Sequence, residues 1–453
     1  MAGGFLYLYI ITMNTQALYE IFLKYPHICI DSRKASPDSI FFALKGDNND
    51  GNAYAEQALK QCPYAVVDDE NVVKNNHYIK VDNVLDTLQR LAAYHRKRLG
   101  LPILAITGTN GKTTTKELVS RVLAKKYKVY CTQGNLNNHI GVPLTLLSMT
   151  KAHEFGVVEM GASHQGEIAK LCKISAPDYG IITNVGRAHL EGFGSFNAVR
   201  ETKAELYQYL HSNDGMAFVN YDNEILEDMN PPHNIVYYGT KVFTHCQGKI
   251  TSNKLFLEFR WAPSEEVIAD NTEVESSPDY EIKTNLIGAY NFENALAAVC
   301  VGDNFGVKPH DIKDAIESYK PSNNRSQLVK TEKGNTVLAD DYNANPSSMD
   351  AAINNFANID LPNKTLMLGD MLELGDASGR EHGVVVGLIS KFGFDNVYLV
   401  GKNFGNVPDA HIYKCFDTVD DLIQHLASKN LTGASILVKG SHGVHMEKVM
   451  PYL

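Results

Sequence analysis

The residues whose types and spacing promise chemistry are Gly108, Thr109, Asn110, Gly111, Lys112, Thr113 and Thr114, inside the stretch ILAITGTNGKTTTK at 103–116. An apolar, β-rich run ends at Thr107, two glycines bracket a tight turn, and Lys112-Thr113-Thr114 opens a predicted helix. Such a junction points backbone N–H groups at a bound anion. Glycines let the backbone approach it, the lysine reaches the β- and γ-phosphates, and the following hydroxyl is placed to ligate Mg²⁺. The usual phosphate loop has four residues between its glycines and this one has two, so spacing alone is a weaker match and context must decide.

Other residues carry chemistry under two readings. Glu159 closes the apolar run FGVVEM, as a hard oxygen ligand for Mg²⁺ or as an acid at a helix start. Asn137 and Asn138, in GNLNNHIGVP, orient a carboxylate or cap a turn. His189 follows a strand ending at Thr183-Asn184, where a structural histidine competes with a ligand. Lys203, in TKAE, reads by residue type alone as a solvated helical lysine. Asn291 and Asn294 lie three apart on one helix face, suited to adenine or to capping. Asp31-Ser32-Arg33 offers a hydroxyl and a guanidinium to a uracil edge or pyrophosphate, or forms an Asx turn with a solvated arginine.

The elements that must hold these residues alternate strand and helix, and 453 residues suggest about three domains. Residues 13–100 read as a small α/β unit with helices at 15–24, 53–61 and 84–99. Residues 101–318 read as a parallel sheet with helices from Thr113, after Pro143, from Gly166 and from Phe196, and with an antiparallel excursion and acidic loop between 241 and 288. Residues 319–453 read as a third α/β unit of dinucleotide-fold type with a final helix; no glycine fingerprint opens it, so NAD is not indicated. In open α/β sheets ligands sit at the carboxyl ends of the strands, where the candidates above fall.

Composition excludes several classes. A net charge of −10 and a pI near 5.9 argue against a nucleic-acid or membrane-surface binder, so anionic substrates must be met by local sites. Seven scattered cysteines with no C-x-x-C pair suggest neither a disulfide framework nor zinc, and fit a reducing cytoplasm. The apolar opening runs for only about nine residues without a basic start, so it reads as neither a membrane span nor a signal peptide, with Met13 the natural beginning. No membrane insertion is expected, and the chain is read as a monomer.

The sequence TGTNGKTTT resembles the ATP loop of the Mur ligases and of their relative folylpolyglutamate synthase. DSR followed by IFFALKG is similar to the UDP-binding domain of that family, which implies Ser32, Arg33, Phe42, Ala43 and Gly46 as uridine-diphosphate contacts. The resemblance further implies substrate contact at Asn137 and Asn138, carbamylation of Lys203 by CO₂, and two Mg²⁺ ions held by Thr113, Glu159, His189 and Lys203. It also implies ATP contacts at Asn291, Asn294, Arg325 and Asp340, with Asp341 as an alternative to Asp340. Tyr290 stands where the family has histidine. The texts LGDMLELGDASGREH, YNANPSSM, VKGSHGVHMEKV and GASHQGEIA resemble the branch that adds D-alanyl-D-alanine to UDP-N-acetylmuramoyl-tripeptide, and the DNPR text of the preceding branch is absent. The likeness runs from Met13 to the end. It implies a three-domain α/β architecture, with a central P-loop ATPase domain between a UDP-binding domain and a Rossmann-like C-terminal domain. It also implies an ADP-forming amide ligase in cytoplasmic peptidoglycan synthesis, with Lys112, Lys203 and His189 catalytic. The rivals are another Mur or folylpolyglutamate-type ligase, or a nucleotide module that forms no bond.

Overall fold

Local sequence explains where the elements begin and stop. The helix Val84–Leu99 starts where the Asn83 side chain accepts the Asp86 N–H at 2.8 Å and ends on Gly100 in the left-handed region, φ 65°. The 53–61 helix is shorter than expected, a 3₁₀ turn Gly51–Tyr54 running into Ala55–Ala58. The helix expected after Pro143 begins at Gly141, because proline is tolerated in a first turn whose N–H groups have no intrahelical partner. The final helix is instead two 3₁₀ stretches, His442–Val444 and Met446–Tyr452, broken by left-handed His445 (φ 60°) and carrying Pro451.

The computed structural model describes residues 13–46, 48–263, 279–322, 325–429 and 431–453. The apolar opening, the acidic loop over 264–278 and part of the expected boundary at 321–325 lie outside the described residues.

The strands form sheets of four, nine and six. The first is parallel, in the order β1 (His27–Cys29), β2 (Ser39–Phe42), β3 (Tyr64–Val67), β4 (Tyr78–Lys80). The second comprises β5 (Ile103–Thr107), β6 (Val129–Cys131), β7 (Phe155–Glu159), β8 (Tyr179–Ile182), β9 (Met216–Asn220), β10 (Asn234–Gly239), β11 (Cys246–Ser252), β12 (Glu258–Pro263) and β13 (Tyr280–Lys283). The third holds β14 (Gln327–Lys330), β15 (Thr336–Ala339), β16 (Lys364–Gly369), β17 (Asn396–Val400), β18 (Lys414–Phe416) and β19 (Ser435–Lys439), in the order β14-β15-β19-β16-β17-β18, parallel except at β14–β15.

The chain divides into two compact units. One contains residues up to Leu104 with Lys128–Met160 and Ala169–Asp178. There buried Arg96 donates to Asp178 at 2.9 Å and to the Ser175 carbonyl at 2.9 Å, fixing the end of the long helix. His95 Nε2 donates to the Met149 carbonyl (2.8 Å) and its Nδ1 meets the Tyr19 hydroxyl (3.2 Å), and burial pushes its pKa down. The other unit contains Ala105–Tyr127, Gly161–Ile168 and Tyr179–Leu453, including the six-stranded sheet. In it β8, β9, β10 and β11 pair in parallel, and the 241–288 excursion is antiparallel across β11-β12-β13. Within that excursion Trp261 is buried. Among the described residues no helix is long and apolar enough to cross a membrane, and all seven cysteines are free.

Candidate active site

The phosphate loop follows β5, and the helix Lys112–Leu123 starts on Gly111, φ 79°, with no side-chain cap. Its positive end is therefore open to an anion. A Cβ at Gly108 (φ 138°) would lie 2.0 Å from Thr183 Oγ1, and one at Gly111 would lie 2.3 Å from Asn294 Oδ1, so both glycines are dictated by close approach. The loop hangs on the end of β8. Thr109 N–H donates to the Asn184 carbonyl at 2.9 Å, Asn110 N–H to Asn184 Oδ1 at 3.0 Å, and the Thr183 hydroxyl to the Asn110 carbonyl at 2.6 Å. The sequence marked Thr183 and Asn184 only as a strand end; a hydroxyl and an amide directly after a β-run facing the cradle were the available signal. Lys112 Nζ lies back over the loop, donating to the Gly108 and Thr109 carbonyls at 2.8 Å each. Thr113 and Thr114 occupy the helix's first turn. Gly111→Ala is expected to cost about 1–3 kcal/mol of stability through left-handed strain and the Asn294 clash, and to weaken ADP binding at least roughly tenfold. Melting and calorimetric titration would check both.

Asn291 and Asn294 are the two amides expected at ATP. Both are buried, on the helix Asn291–Asn304, and their amides already have partners in the chain. Asn291 donates to the Ile287 carbonyl at 2.9 Å and accepts from Asn294 at 3.0 Å, while Asn294 Oδ1 accepts the Thr115 hydroxyl at 3.1 Å. They brace the loop from behind.

Lys203 sits on the helix Phe196–Ser212 and is 3 % exposed. The solvated-lysine reading is thereby removed. Among the described residues its Nζ has no hydrogen bond or ion pair; the Phe193 ring centroid lies 6.0 Å away. Burial first, then the Lys112 charge, depresses its pKa to about 7. Glu167 and Glu205 pull the other way but do not offset burial, so the neutral form is favoured near neutral pH. The same Phe193 ring meets the His189 ring edge-on at 6.5 Å. His189 Nδ1 contacts Glu373 Oε2, and that contact holds the Glu373 carboxyl below its ordinary pKa.

The flanking chain is docked on the C-terminal part of the same unit. Arg187 N–H donates to Ser347 Oγ at 2.9 Å, Arg187 Nη1 lies 3.4 Å from buried Glu381, and Asn345 Nδ2 donates to Asn110 Oδ1 at 2.8 Å. Arg325 stacks on the Tyr342 ring at 3.8 Å. Asp340 accepts from Lys439 Nζ at 2.7 Å and from the Ser326 N–H at 3.0 Å. Asp341 is buried, and burial pushes its carboxyl up to about 6, which leaves Asp340 as the accessible member of the pair. Tyr290, at the family's histidine position, is joined through its hydroxyl to Ser326 Oγ at 2.8 Å.

In the first unit Glu159 is buried and accepts from Asn137 Nδ2 at 2.8 Å, so the structure brings these two candidates together. Asn138 Oδ1 accepts the Ile140 and Gly141 N–H groups at 3.1 and 2.9 Å; it is a cap. Asp31 accepts the Arg33 N–H at 3.1 Å, the Asx turn of the blander reading, and pairs with the exposed Arg33 guanidinium at 2.8 Å, which holds the Asp31 carboxyl at about 2. Ser32 lies on that turn and Gly46 on a surface turn closed by its N–H to the Asn49 carbonyl, 2.9 Å. Phe42 and Ala43 are fully buried, so their side chains belong to the core.

Among the described residues no preassembled group of three or more His, Cys, Asp or Glu exists. The donors present fit a hard cation that takes one or two protein oxygens and completes its shell with phosphate and water.

Known proteins resemble the chain over most of its length. Residues 106–302 match the model of the Mur ligase middle domain and residues 324–442 that of the Mur ligase glutamate ligase domain. The UDP-N-acetylmuramoyl-tripeptide–D-alanyl-D-alanine ligase of Bacillus subtilis is 33% identical over 93% of this chain and 92% of its own. A crystal structure of MurF from Acinetobacter baumannii superposes with a TM-score of 0.83 at 28% identity, covering 97% of this chain and 98% of that one. The MurF ligase of Thermotoga maritima, solved in complex with ADP, gives 0.80 at 26% identity over 95% and 97%.

Proposed function

The chain belongs to the Mur ligase family, and on that premise we propose that it is the ADP-forming ligase that joins D-alanyl-D-alanine to UDP-N-acetylmuramoyl-tripeptide in peptidoglycan precursor synthesis. The observation that carries this reading is the match over 93% of the chain. It takes in the N-terminal α/β unit, which a folylpolyglutamate-type ligase would not need. The architecture is the family's three-domain α/β fold, and we divide it at 13–100, 101–318 and 319–453. The cytoplasm is the proposed compartment.

The terminal carboxylate of the tripeptide attacks the γ-phosphate of ATP and gives an acyl phosphate with release of ADP. The D-alanyl-D-alanine amine then attacks that carbonyl and phosphate leaves. Approach of a carboxylate to a polyanion is the main barrier. Loop N–H groups and Lys112 offset the phosphate charge, and Arg325 and Asp340 take the nucleoside side. Lys203 adds CO₂ as its neutral amine, releasing a proton and becoming an anionic oxygen donor. Thr113, Glu159, His189 and carbamylated Lys203 would hold two Mg²⁺ ions, which supply charge neutralisation and orient the reacting oxygens. Ser32, Arg33 and Gly46 take the uridine diphosphate, Arg33 by leaving Asp31. Asn137, held by Glu159, faces the substrate carboxylate.

Phosphate release with Mg·ATP, omitting each co-substrate in turn and reading product mass in parallel, tests the reading. Release that needs both, with the dipeptide's mass added less water, is expected. Release indifferent to both would replace the ligase with a nucleotide module.

A further inference from the structure

We propose that Glu373 is the positioning residue for His189: its carboxylate takes the Nδ1 side of the imidazole and leaves Nε2 as the nitrogen able to ligate. The inference deepens the reading of His189 as a metal ligand and rests on it. Both residues have left-handed backbone, φ 50° at His189 and φ 61° at Glu373, a conformation side chains other than glycine rarely adopt. Two strained turns therefore meet through their side chains.

The backbone holds them in place. Glu191 N–H donates to the Glu373 carbonyl at 3.1 Å, the Gly192 and Phe193 N–H groups to the His189 carbonyl at 3.1 and 3.0 Å, and a Cβ on Gly375 would lie 3.5 Å from Glu191. The side chains are 35 % and 60 % exposed, so the pair contributes little stability. What it fixes is direction. Phe193 meets the imidazole edge-on at 6.5 Å while Glu373 contacts its Nδ1, so the ring is held by two neighbours. A histidine whose Nδ1–H is donated to a carboxylate presents an Nε2 lone pair of fixed tautomer and aim. Glu373 follows β16 of the C-terminal sheet, whereas His189 follows β8, so His189 is aimed only while those two segments are docked.

Long-range ¹H–¹⁵N spectra of histidine-labelled protein without metal would read the tautomer. Mn²⁺ affinity, followed by electron paramagnetic resonance with a non-hydrolysable ATP analogue and bicarbonate, reads the consequence. Wild type is expected to show His189 protonated at Nδ1. Glu373→Ala is expected to mix the tautomers, lower Mn²⁺ affinity roughly 10- to 100-fold, and reduce kcat with the KM for ATP changed less than about twofold. Glu373→Gln, whose amide oxygen still accepts from Nδ1–H, is expected to keep the tautomer and recover most of the affinity. A wild-type tautomer and affinity in Glu373→Ala would overturn the proposal. His189→Ala separates the two readings. If it weakens Mn²⁺ binding and Glu373→Ala does not, only the role of Glu373 fails; if His189→Ala binds as wild type, the ligand reading fails as well.

Discussion

Lys203→Ala is expected to lower kcat by roughly 10³-fold, the scale of losing one preorganised charge in a water-excluded site, and to regain part of it in millimolar formate or acetate. The cause is burial. At 3 % exposure, with no acceptor among the described residues and the Lys112 charge nearby, the amine has a pKa of about 7. Below that pH it is an ammonium and cannot add CO₂; above it the free amine can. At fixed dissolved CO₂, activation by bicarbonate should therefore rise as pH passes through about 7, and a ¹³C carbamate signal should rise with it. An ordinary surface lysine would need a pH beyond about 10. Stability follows the same sign. Between about 7 and the ordinary 10.5 the unfolded chain holds a proton that the native chain does not, so stability from this group rises with pH across that window and is lowest below it. Lys203→Met, which removes the charge and keeps the volume, should raise the melting temperature most near pH 6, by several degrees, although it is inactive. Full activity in either variant, or a melting gain independent of pH, would remove the carbamate role.

Legibility in the sequence followed how local each determinant was. The phosphate loop, the helix Val84–Leu99 and the strands leading to the candidates were readable because apolar period, caps and glycines act within a few residues. The final helix was misread because two features cut it, the left-handed turn at His445 and a proline, and only the second is visible as text. Burial was the larger loss. Phe42 and Ala43 lie in a family motif, yet sequence does not say that a strand's end is covered on both faces. Asn291 and Asn294 share a face as expected, but which neighbour that face meets is a long-range fact, here Gly111 and Thr115. Lys203 shows the opposite case: residue type argued for solvent, and only the packed structure reveals an amine whose burial outweighs the nearby Glu167 and Glu205 charges. The Glu373–His189 contact joins residues 184 positions apart and had no local signal at all.

Lys112→Ala is the second large effect, with turnover expected to fall by roughly 10³-fold or more while the melting temperature stays close to wild type. The partly exposed side chain holds no core together; its ammonium rests on the Gly108 and Thr109 carbonyls, 2.8 Å from each, where it is pre-placed over the anion site. On nucleotide binding those weak acceptors are exchanged for phosphate oxygens, a stronger charge-assisted contact. The loss should appear in kcat more than in ADP affinity, since the loop N–H groups and the helix N-terminus remain and the charge that develops on the transferred phosphoryl is what the lysine meets. A second consequence is specific to this chain. The Lys112 charge helps to depress the Lys203 pKa, so its removal should raise that pKa and lower carbamate occupancy at a given CO₂. The ¹³C carbamate signal of Lys112→Ala should therefore be weaker than wild type at pH 7 and recover as pH rises, and the double variant with Lys203→Ala should be less impaired than the product of the two single losses. Turnover within tenfold of wild type would remove Lys112 from the mechanism. An unchanged carbamate signal would break the link between the two lysines and leave each role to stand separately.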